Sequence, residues 1–502
     1  MLRNILILLL VCKALVAFAT FDITDNCIKA HQAMLRLQLN EAGILISREK
    51  AARPENQLAI VLENNIAFLK AILSEDQKEI AAMGALAKRS IEIIEKSDKA
   101  DAYRRPALAQ IHLQMAYIDA RFGSYLSPSL EIGRAYRLLD LNHDQFPQFK
   151  AGDPQTGLLH ILIGSIPSEY RWLPDLLQME GSVKQGQAEI FASIENRTGD
   201  KILSLIAPEC LLMLSLIAVQ VADEEIMQLQ VLKLFSESKF DLITSQSPLL
   251  LYAQATLLMK LGRNDEAITL LSNCQFNTGQ YPFPVLDYYL GIAKLNRLDK
   301  DANKILLGFT STFKGKNLIN SAYQKLAWYY LLQGDKANYV SYMERIQSNG
   351  EQNTESDKKA YQDAISGREP NVDLLKSRLL FDGGYYQRAS EQLSRFNPSK
   401  AGIPAHDYLE YYYRKARILH KMDKYDEALA YYIIVLNQGS NSTFYFAANS
   451  ALNMGEIYES RHQKEKAKTS YEKCLSLKYT EYKNGISMKA RARLNLMKKS
   501  TN

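Results

Sequence analysis

Small residues recur through the second half of the chain, each followed eleven or twelve positions later by a second packing residue. The first members are Ala255, Gly291, Ala327, Ser377, Ala416 and Gly455, and the second members are Ala267, Ala302, Tyr339, Ala389, Ala428 and Ala467. A polar or Gly-containing stretch separates each pair, and small residues let two antiparallel helices approach closely. The pattern predicts six helix–turn–helix units. Steps of 36, 36, 50, 39 and 39 residues between first members predict a stacked array.

The first half of the chain shows helical periodicity without an evident repeat. Leu58, Leu62, Ile66 and Leu69, for example, recur at the spacing of one helix face. Alternating strand-like runs are scarce along the whole sequence. The chain is therefore predicted to be all-α, with an α-helical N-terminal half followed by the array.

These patterns predict five regions after the first nineteen residues. They are an N-terminal α-helical region at 20–240, repeats one to three at 241–346, an insertion or linker at 347–370, repeats four to six at 371–478, and a basic C-terminal capping helix at 479–502. The insertion accounts for the 50-residue step. Its polar composition favours a hinge, with an extra helix expected at 358–365.

The repeat units resemble the tetratricopeptide repeat. In that family a small residue is followed by an aromatic residue three positions on and by Ala twelve positions on. Ala327 with Tyr330 and Gly455 with Tyr458 match this pattern, whereas Tyr339 stands where Ala is usual. The resemblance implies a right-handed solenoid of helix pairs that presents a concave groove to a partner.

A second resemblance rests on the middle of the chain. A Gly-led apolar segment at 157–167 is followed by Trp172-Leu173-Pro174, and then by Gly181 and Gly186. With the repeats and a terminal helix at 482–497, this is similar to the inclusion-body-clearance and tetratricopeptide repeat protein 39 family. That resemblance implies a non-enzymatic interaction protein. Members of that family are regarded as intracellular, and a bacterial, envelope-located relative would reconcile this with the N-terminus.

Residues 1–19 are predicted to form a secretory signal peptide. Arg3 supplies a positive start, an apolar run covers 5–12, and Ala17-Phe18-Ala19 offers a small-x-small cleavage site. A lipid anchor at Cys12 and a buried first helix are the alternatives. The apolar run at 210–219 has only ten residues, so no transmembrane span is expected after the signal. The protein is therefore expected to be exported, to the periplasm or the cell envelope.

The net charge of +6 is concentrated at the C-terminus, where residues 478–502 carry seven Lys or Arg against the single acid Glu481. The simpler interpretation is the solvated face of a capping helix, and the alternative is contact with a membrane surface. No aromatic residue interleaves with these charges after Tyr482, so a nucleic-acid partner is not expected.

The sequence offers no recognisable catalytic or metal-binding pattern. Seven His residues are scattered without ligand spacing on one helix, and the Cys residues are far apart. No nucleophile elbow, zinc helix or phosphate loop is present. We therefore expect no enzyme activity, cofactor or metal. His160 is interpreted as a satisfied residue within an apolar run.

Candidate partner-binding residues follow from the geometry of such arrays, in which the first helix of each pair lines the groove. Positions three before and one after each small residue should face inward. In three of the units these positions are Tyr252, Thr256, Tyr413, Arg417, Leu452 and Glu456. Aromatic and Arg side chains are good interface anchors. The alternative is that Tyr252 and Tyr413 pack against the neighbouring unit.

The sequence thus favours a non-enzymatic protein–protein interaction scaffold or adaptor of the bacterial cell envelope, which binds a segment of a protein partner in the groove. One alternative is an outer-membrane-associated protein that binds a glycan or small ligand on the same helices. A helical enzyme built from distant residues is the third possibility.

Overall fold

The computed structural model describes residues 20–122, 127–166, 174, 178–195, 201–222, 224–274, 279–350 and 352–499. Across these ranges the fold is all-α, with 25 α-helices and no β-strand. The predicted signal peptide at 1–19 lies outside the described residues, as do Trp172 and Leu173 of the family-like segment.

The helices of the N-terminal half are α1 (Asp25–Leu35), α2 (Leu39–Ala52), α3 (Leu58–Ser74), α4 (Gln77–Ile94), α5 (Arg104–Phe122), α6 (Ser127–Gln145), α7 (Asp153–Gly164), α8 (Val183–Glu195), α9 (Lys201–Ile217), α10 (Glu225–Phe235) and α11 (Ser238–Gln246). Those of the C-terminal half are α12 (Pro248–Lys260), α13 (Asn264–Ser272), α14 (Val285–Arg297), α15 (Ala302–Thr312), α16 (Ile319–Leu332), α17 (Lys336–Asn349), α18 (Glu355–Ile365), α19 (Val372–Asp382), α20 (Tyr386–Leu393), α21 (Ala405–Lys421), α22 (Tyr425–Gly439), α23 (Phe446–Ser460), α24 (Lys464–Ser476) and α25 (Lys483–Lys499).

The chain forms two compact units. The first unit contains the described residues up to Lys260, together with Thr269–Leu286 and Ser311–Lys316. The second unit contains Leu261–Ile268, Asp287–Thr310 and the described residues from Asn317 onward. Helix α12, which carries the first small residue of the repeat pattern, therefore belongs to the first unit, whereas the sequence placed the boundary at 240.

The first unit is built from helix pairs that the sequence did not reveal as repeats. Helices α1 and α2, α3 and α4, α5 and α6, and α7 and α8 pack against one another in turn. The glycines of the family-like segment have a steric reason in the last of these pairs. A Cβ added at Gly186 would lie 2.1 Å from the carbonyl oxygen of Gly157, so the two helices meet backbone to backbone.

Helix α9 is longer and more apolar than the predicted ten-residue run. It extends from Lys201 and continues as a π-helical turn over Ala218–Ala222. The segment Lys201–Val221 is the one helix in the described ranges that is long and apolar enough to cross a membrane, and half of its apolar window is buried inside the structure. Buried residues Leu211 and Leu214 place one face of α9 in the core of the first unit.

The predicted small-residue pairs form helix contacts in the second unit. The Oγ atom of Ser377 on α19 donates a hydrogen bond to the carbonyl oxygen of Ala389 on α20, at 2.9 Å. A Cβ at Gly455 on α23 would lie 2.3 Å from the ring of Tyr471 on α24. The tyrosine ring thus occupies the space that a side chain at Gly455 would need. This confirms that the small residue lets the two helices of the repeat approach closely.

The insertion is a packed part of the array, which corrects its interpretation as a linker. The expected helix is confirmed as α18, which begins at Glu355. Its Asp357 side chain is buried and accepts hydrogen bonds from the backbone N–H groups of Leu318, at 2.8 Å, and Ser321, at 2.9 Å. The N-cap residue Leu318 makes no side-chain hydrogen bond to the first turn of α16. Asp357, which is distant in sequence, caps the N-terminus of α16 instead.

The turns of repeats one and four also meet within the second unit. The backbone of Gly384, which has φ +81°, lies against the backbone of Gly262. The Tyr385 hydroxyl accepts a hydrogen bond from Asn264 Nδ2 at 3.1 Å and donates one to Asp265 Oδ1 at 2.9 Å. The array is therefore joined at positions that lie 120 residues apart in sequence.

Candidate partner-binding face

Three of the six predicted groove residues are core residues. The side chains of Tyr413, Leu452 and Thr256 are only 2%, 3% and 6% exposed, so they do not face an open groove. The positions three before the small residue in the other repeats of the second unit are buried too, namely Tyr288, Gln324 and Leu374. In the second unit, positions three before the small residue therefore lie in the core and not on an open surface.

Tyr252 is half-buried and packs its ring edge-on against Phe283, with ring centroids 5.8 Å apart. This supports the packing alternative for that residue. Arg417 and Glu456, which each follow a small residue, are half-buried and keep part of their surface open. A role for Tyr252, Arg417 and Glu456 in partner binding stays a prediction.

Tyr413 holds Arg417 in place. Its hydroxyl accepts hydrogen bonds from Arg417 Nη1 at 2.8 Å and from Asn449 Nδ2 at 2.6 Å. The guanidinium carbon of Arg417 lies 4.7 Å from the ring centroid of Phe381. A buried phenol and a neighbouring ring thus fix the orientation of a cation that is itself partly accessible.

In the two preceding repeats, the position one after the small residue holds an aromatic ring and a cation, and two cations stack on that ring. Trp328 follows Ala327 on α16, and Arg378 follows Ser377 on α19. The Arg378 guanidinium carbon lies 4.8 Å from the Trp328 ring centroid, and Lys325 Nζ lies 3.8 Å from it. With Arg417 and with Lys359 of α18, these residues form what we call the basic face: Lys325, Trp328, Lys359, Arg378 and Arg417.

The basic face carries positive charge that neighbouring acids do not fully balance. Arg378 lies 3.8 Å from Asp382, and Lys359 Nζ lies 2.7 Å from Asp363. No ion pair among the described residues includes Lys325 or Arg417. Burial, reinforced by the charge of Arg378, lowers the pKa of Lys325 to about 7. Lys325 is therefore only partly protonated near pH 7, and Arg378 and Arg417 carry the lasting positive charge of the face.

The segment that precedes α25 touches this face. Glu481 lies 3.7 Å from Lys359 Nζ and 3.6 Å from Arg368 Nη2. The Tyr482 ring centroid lies 5.0 Å from Lys359 Nζ, and the Tyr482 hydroxyl interacts electrostatically with the Arg378 guanidinium. Tyr482 also packs edge-on against Tyr445, at 5.0 Å between centroids. The C-terminal end of the array is thereby joined to α18.

One cluster of possible metal ligands escaped the sequence analysis because it contains a single histidine. Ligand atoms of His406, Asp407 and Glu410, at the start of α21, all lie within 4.8 Å of one another. Glu410 is buried and paired with Arg414. Burial alone would raise the pKa of Glu410, but Arg414 and His406 hold it below its usual value. Arg414 thus supplies the countercharge that a cation would bring, so the arrangement is that of an ion-pair network.

His160 is a satisfied residue, as the sequence predicted. Its Nδ1 atom lies 2.7 Å from Glu189 Oε2, across the α7–α8 pair. The two residues line a cavity of about 400 Å³ in the first unit, together with Tyr136, Phe149 and Asp153.

Part of the basic face could have been predicted from the sequence. Applying the rule of one position after the small residue to repeats three and four yields Trp328 and Arg378, in addition to Arg417. Lys359 could not be placed this way because α18 lies outside the repeat pattern, and Lys325 lies at an intermediate position of its helix.

Residues 407–479 match the family model described as Tetratricopeptide repeat. The matched residues contain repeats five and six, so this part of the array consists of tetratricopeptide-type helix pairs. Comparison with curated proteins gives no match.

Several solved structures are similar over most of their length. Human IFIT1, as a dimer with m7Gppp-AAAA, is 10% identical, covering 91% of this chain and 95% of that chain with a TM-score of 0.33. The P58(IPK) TPR domain is 16% identical over 88% and 99%, with a TM-score of 0.21. The APC/C hetero-tetramer Cut9-Hcn1 is 11% identical over 93% and 95%, with a TM-score of 0.23. Because all three TM-scores are below 0.5, nothing about the ligand of this chain follows from them.

Proposed function

We propose that this protein is a non-enzymatic interaction scaffold of the bacterial cell envelope, and that the basic face binds an acidic segment of a protein partner. Tetratricopeptide repeats generally mediate protein–protein interaction. The observation that carries the proposal is the gathering of Lys325, Arg378 and Arg417 on aromatic rings along the first-helix face.

The chemistry of these side chains favours a carboxylate-bearing partner. A guanidinium group offers parallel N–H donors that match a carboxylate, and stacking on a ring pre-organises it with little further loss of side-chain entropy. Partial burial strengthens each such contact, because water screens the charges less. An extended acidic segment could therefore engage Arg378 and Arg417 together, and Trp328 would provide a rigid aromatic floor beneath the cations.

The envelope location rests on residues 1–19 of the sequence. It is tested by fractionating cells that produce the full chain and determining the N-terminal residue of the purified protein. Recovery in the periplasm or envelope, beginning after residue 19, supports export. Recovery of the intact N-terminus in the cytoplasm refutes it.

The binding proposal is tested by capture from envelope extract with residues 20–502. The parent is compared with Arg378→Gln/Arg417→Gln and with a matched control, Arg395→Gln/Lys400→Gln. The control removes the same charge from exposed positions outside the face. We expect a protein that the parent and control capture and that the face variant loses. Retention by the face variant would refute the assignment of the binding surface.

A second candidate function, binding of a glycan or small ligand, is favoured by the cavity of about 400 Å³ between α6, α7 and α8. Aromatic residues Tyr136 and Phe149 and the carboxyl group of Asp153 line it, and such groups commonly contact sugars. Calorimetric titration with N-acetylglucosamine, comparing the parent with Asp153→Asn, tests this function. Heat of binding that Asp153→Asn abolishes supports it, and absence of binding to the parent counts against it.

A further inference from the structure

The turn that precedes α25 contacts the basic face. Tyr479 and Ile486, on either side of the turn, are buried in the core formed by α24 and α25. Between these two anchors, Thr480 N donates a hydrogen bond to the carbonyl oxygen of Thr443 at 3.1 Å. A short turn, held at both ends, thus carries Glu481 and Tyr482 across to α18.

Glu481 is a counter-ion of Lys359 and Arg368. Its carboxylate is only 16% exposed and contacts both Lys359 and Arg368. Glu481 is the only carboxylate that pairs with Arg368 among the ion pairs of the described residues. A carboxylate supplied from outside could take this position with the same charge balance.

Tyr482 is held against the face without being locked into it. Its ring contacts Lys359 and Tyr445, yet the residue remains 41% exposed. Its backbone has φ +55°, a left-handed conformation that L side chains other than Asn and Asp rarely adopt. The chain therefore accepts an unfavourable backbone conformation at the residue that places an aromatic ring on the cations.

We infer that Glu481 and Tyr482 are the chain's own occupant of the basic face, and that a partner engages the face with a carboxylate followed by an aromatic ring, displacing this pair. The inference rests on the proposed function, because it assigns the partner chemistry and the regulation to that same face. The buried anchors Tyr479 and Ile486 stay in place, so only the turn between them moves. Self-occupancy lowers the apparent affinity for a partner, since the face is available only while the turn is displaced.

The probe is a fluorescein-labelled peptide with the sequence of residues 478–484, and binding is followed by fluorescence anisotropy. The parent is compared with Glu481→Gln, with Glu481→Gln/Tyr482→Ala and with the control Glu472→Gln. Glu472 is an exposed acid on α24. We expect the double variant to bind about tenfold more tightly than the parent, because a turn with an effective concentration of about 1 mM competes tenfold against binding with a Kd of about 0.1 mM. The single variant should fall between them, and the control should match the parent.

Arg378→Gln introduced into the double variant should abolish probe binding. Circular dichroism confirms that each variant is folded, and Glu481→Gln alone keeps the test valid if the double variant is not. Equal affinity of the parent and both Glu481 variants, with binding still dependent on Arg378, would overturn self-occupancy and leave the proposed function intact. No probe binding by any variant would overturn the partner chemistry inferred here. The proposed function fails separately, if the envelope partner is retained by Arg378→Gln/Arg417→Gln.

Discussion

Replacing Gly384 by Ala should destabilise the second unit more than the same replacement in the equivalent turn of repeat three. Gly384 has φ +81° and Gly334 has φ +80°, so both variants place an Ala side chain in the same unfavourable backbone region. That conformation costs about 1 kcal/mol per residue. At Gly334 nothing lies within 4 Å of the added Cβ, so this cost is the whole effect.

At Gly384 the added Cβ would lie 2.1 Å from the carbonyl oxygen of Gly262. The obstacle is backbone, so the two turns must separate, and overpacking of this kind costs about 1–3 kcal/mol. Separation also strains the hydrogen bond from Asn264 to the Tyr385 hydroxyl and the one from that hydroxyl to Asp265. We therefore expect a total loss of about 2–4 kcal/mol for Gly384→Ala, against about 1 kcal/mol for Gly334→Ala.

Urea unfolding followed by tryptophan fluorescence measures the difference. The chain has two Trp residues, so a Trp172→Phe background leaves Trp328, in the second unit, as the reporter. The midpoint of Gly384→Ala should lie clearly below that of Gly334→Ala at a similar slope. Equal midpoints for the two variants would show that the contact between the turns of repeats one and four does not exist in solution.

Three further predictions concern packing, capping and charge in the second unit. Gly455→Val should displace the Tyr471 ring and lower the free energy of unfolding by at least about 2 kcal/mol, as measured by urea unfolding; an unchanged midpoint would contradict this. Asp357→Ala should cost about 1–3 kcal/mol, because it leaves the N–H of Ser321 without its acceptor. Hydrogen exchange should then accelerate at the first turn of α16, and unchanged protection there would rule out the cap. Between pH 7 and pH 9, the free energy of unfolding of the parent should rise by about 2 kcal/mol relative to that of Lys325→Met. The reason is that Lys325, with a pKa of about 7 in the folded state, releases a proton that the unfolded state keeps. A difference between parent and variant that does not change with pH would refute the assigned pKa.

The sequence predicted the helix pairs because their spacing is a local property. Contact between Gly455 and the second helix of its own pair depends only on the twelve-residue step to Ala467 and on the turn between them. The faces that successive pairs bury depend on the rotation from one repeat to the next, which the spacing does not encode. This is why Tyr413 was assigned to the groove and lies in the core, where it orients Arg417 instead.

The parts that escaped prediction depend on contacts between distant residues. The polar composition of residues 347–370 is typical of a linker, and the single carboxylate of Asp357 that docks this segment looks like any surface acid in the sequence. Glu481 was counted as the one acid of a basic tail, whereas the fold carries it to Lys359, more than 120 residues upstream. The distribution of charge along the sequence therefore does not predict which charges are neighbours where distant parts of the array are in contact.

The cap that Asp357 provides has a consequence for the order in which the protein folds during synthesis. Helix α16 ends at Leu332, but the acceptor for its first N–H groups is a residue 39 positions after Leu318. Repeat three therefore lacks this cap when its first helix leaves the ribosome, and gains it only after α18 has emerged. Domains tend to fold from the N-terminus as they are made. Here the third repeat depends on the insertion that follows it, so repeat three and α18 should acquire protection together rather than in turn.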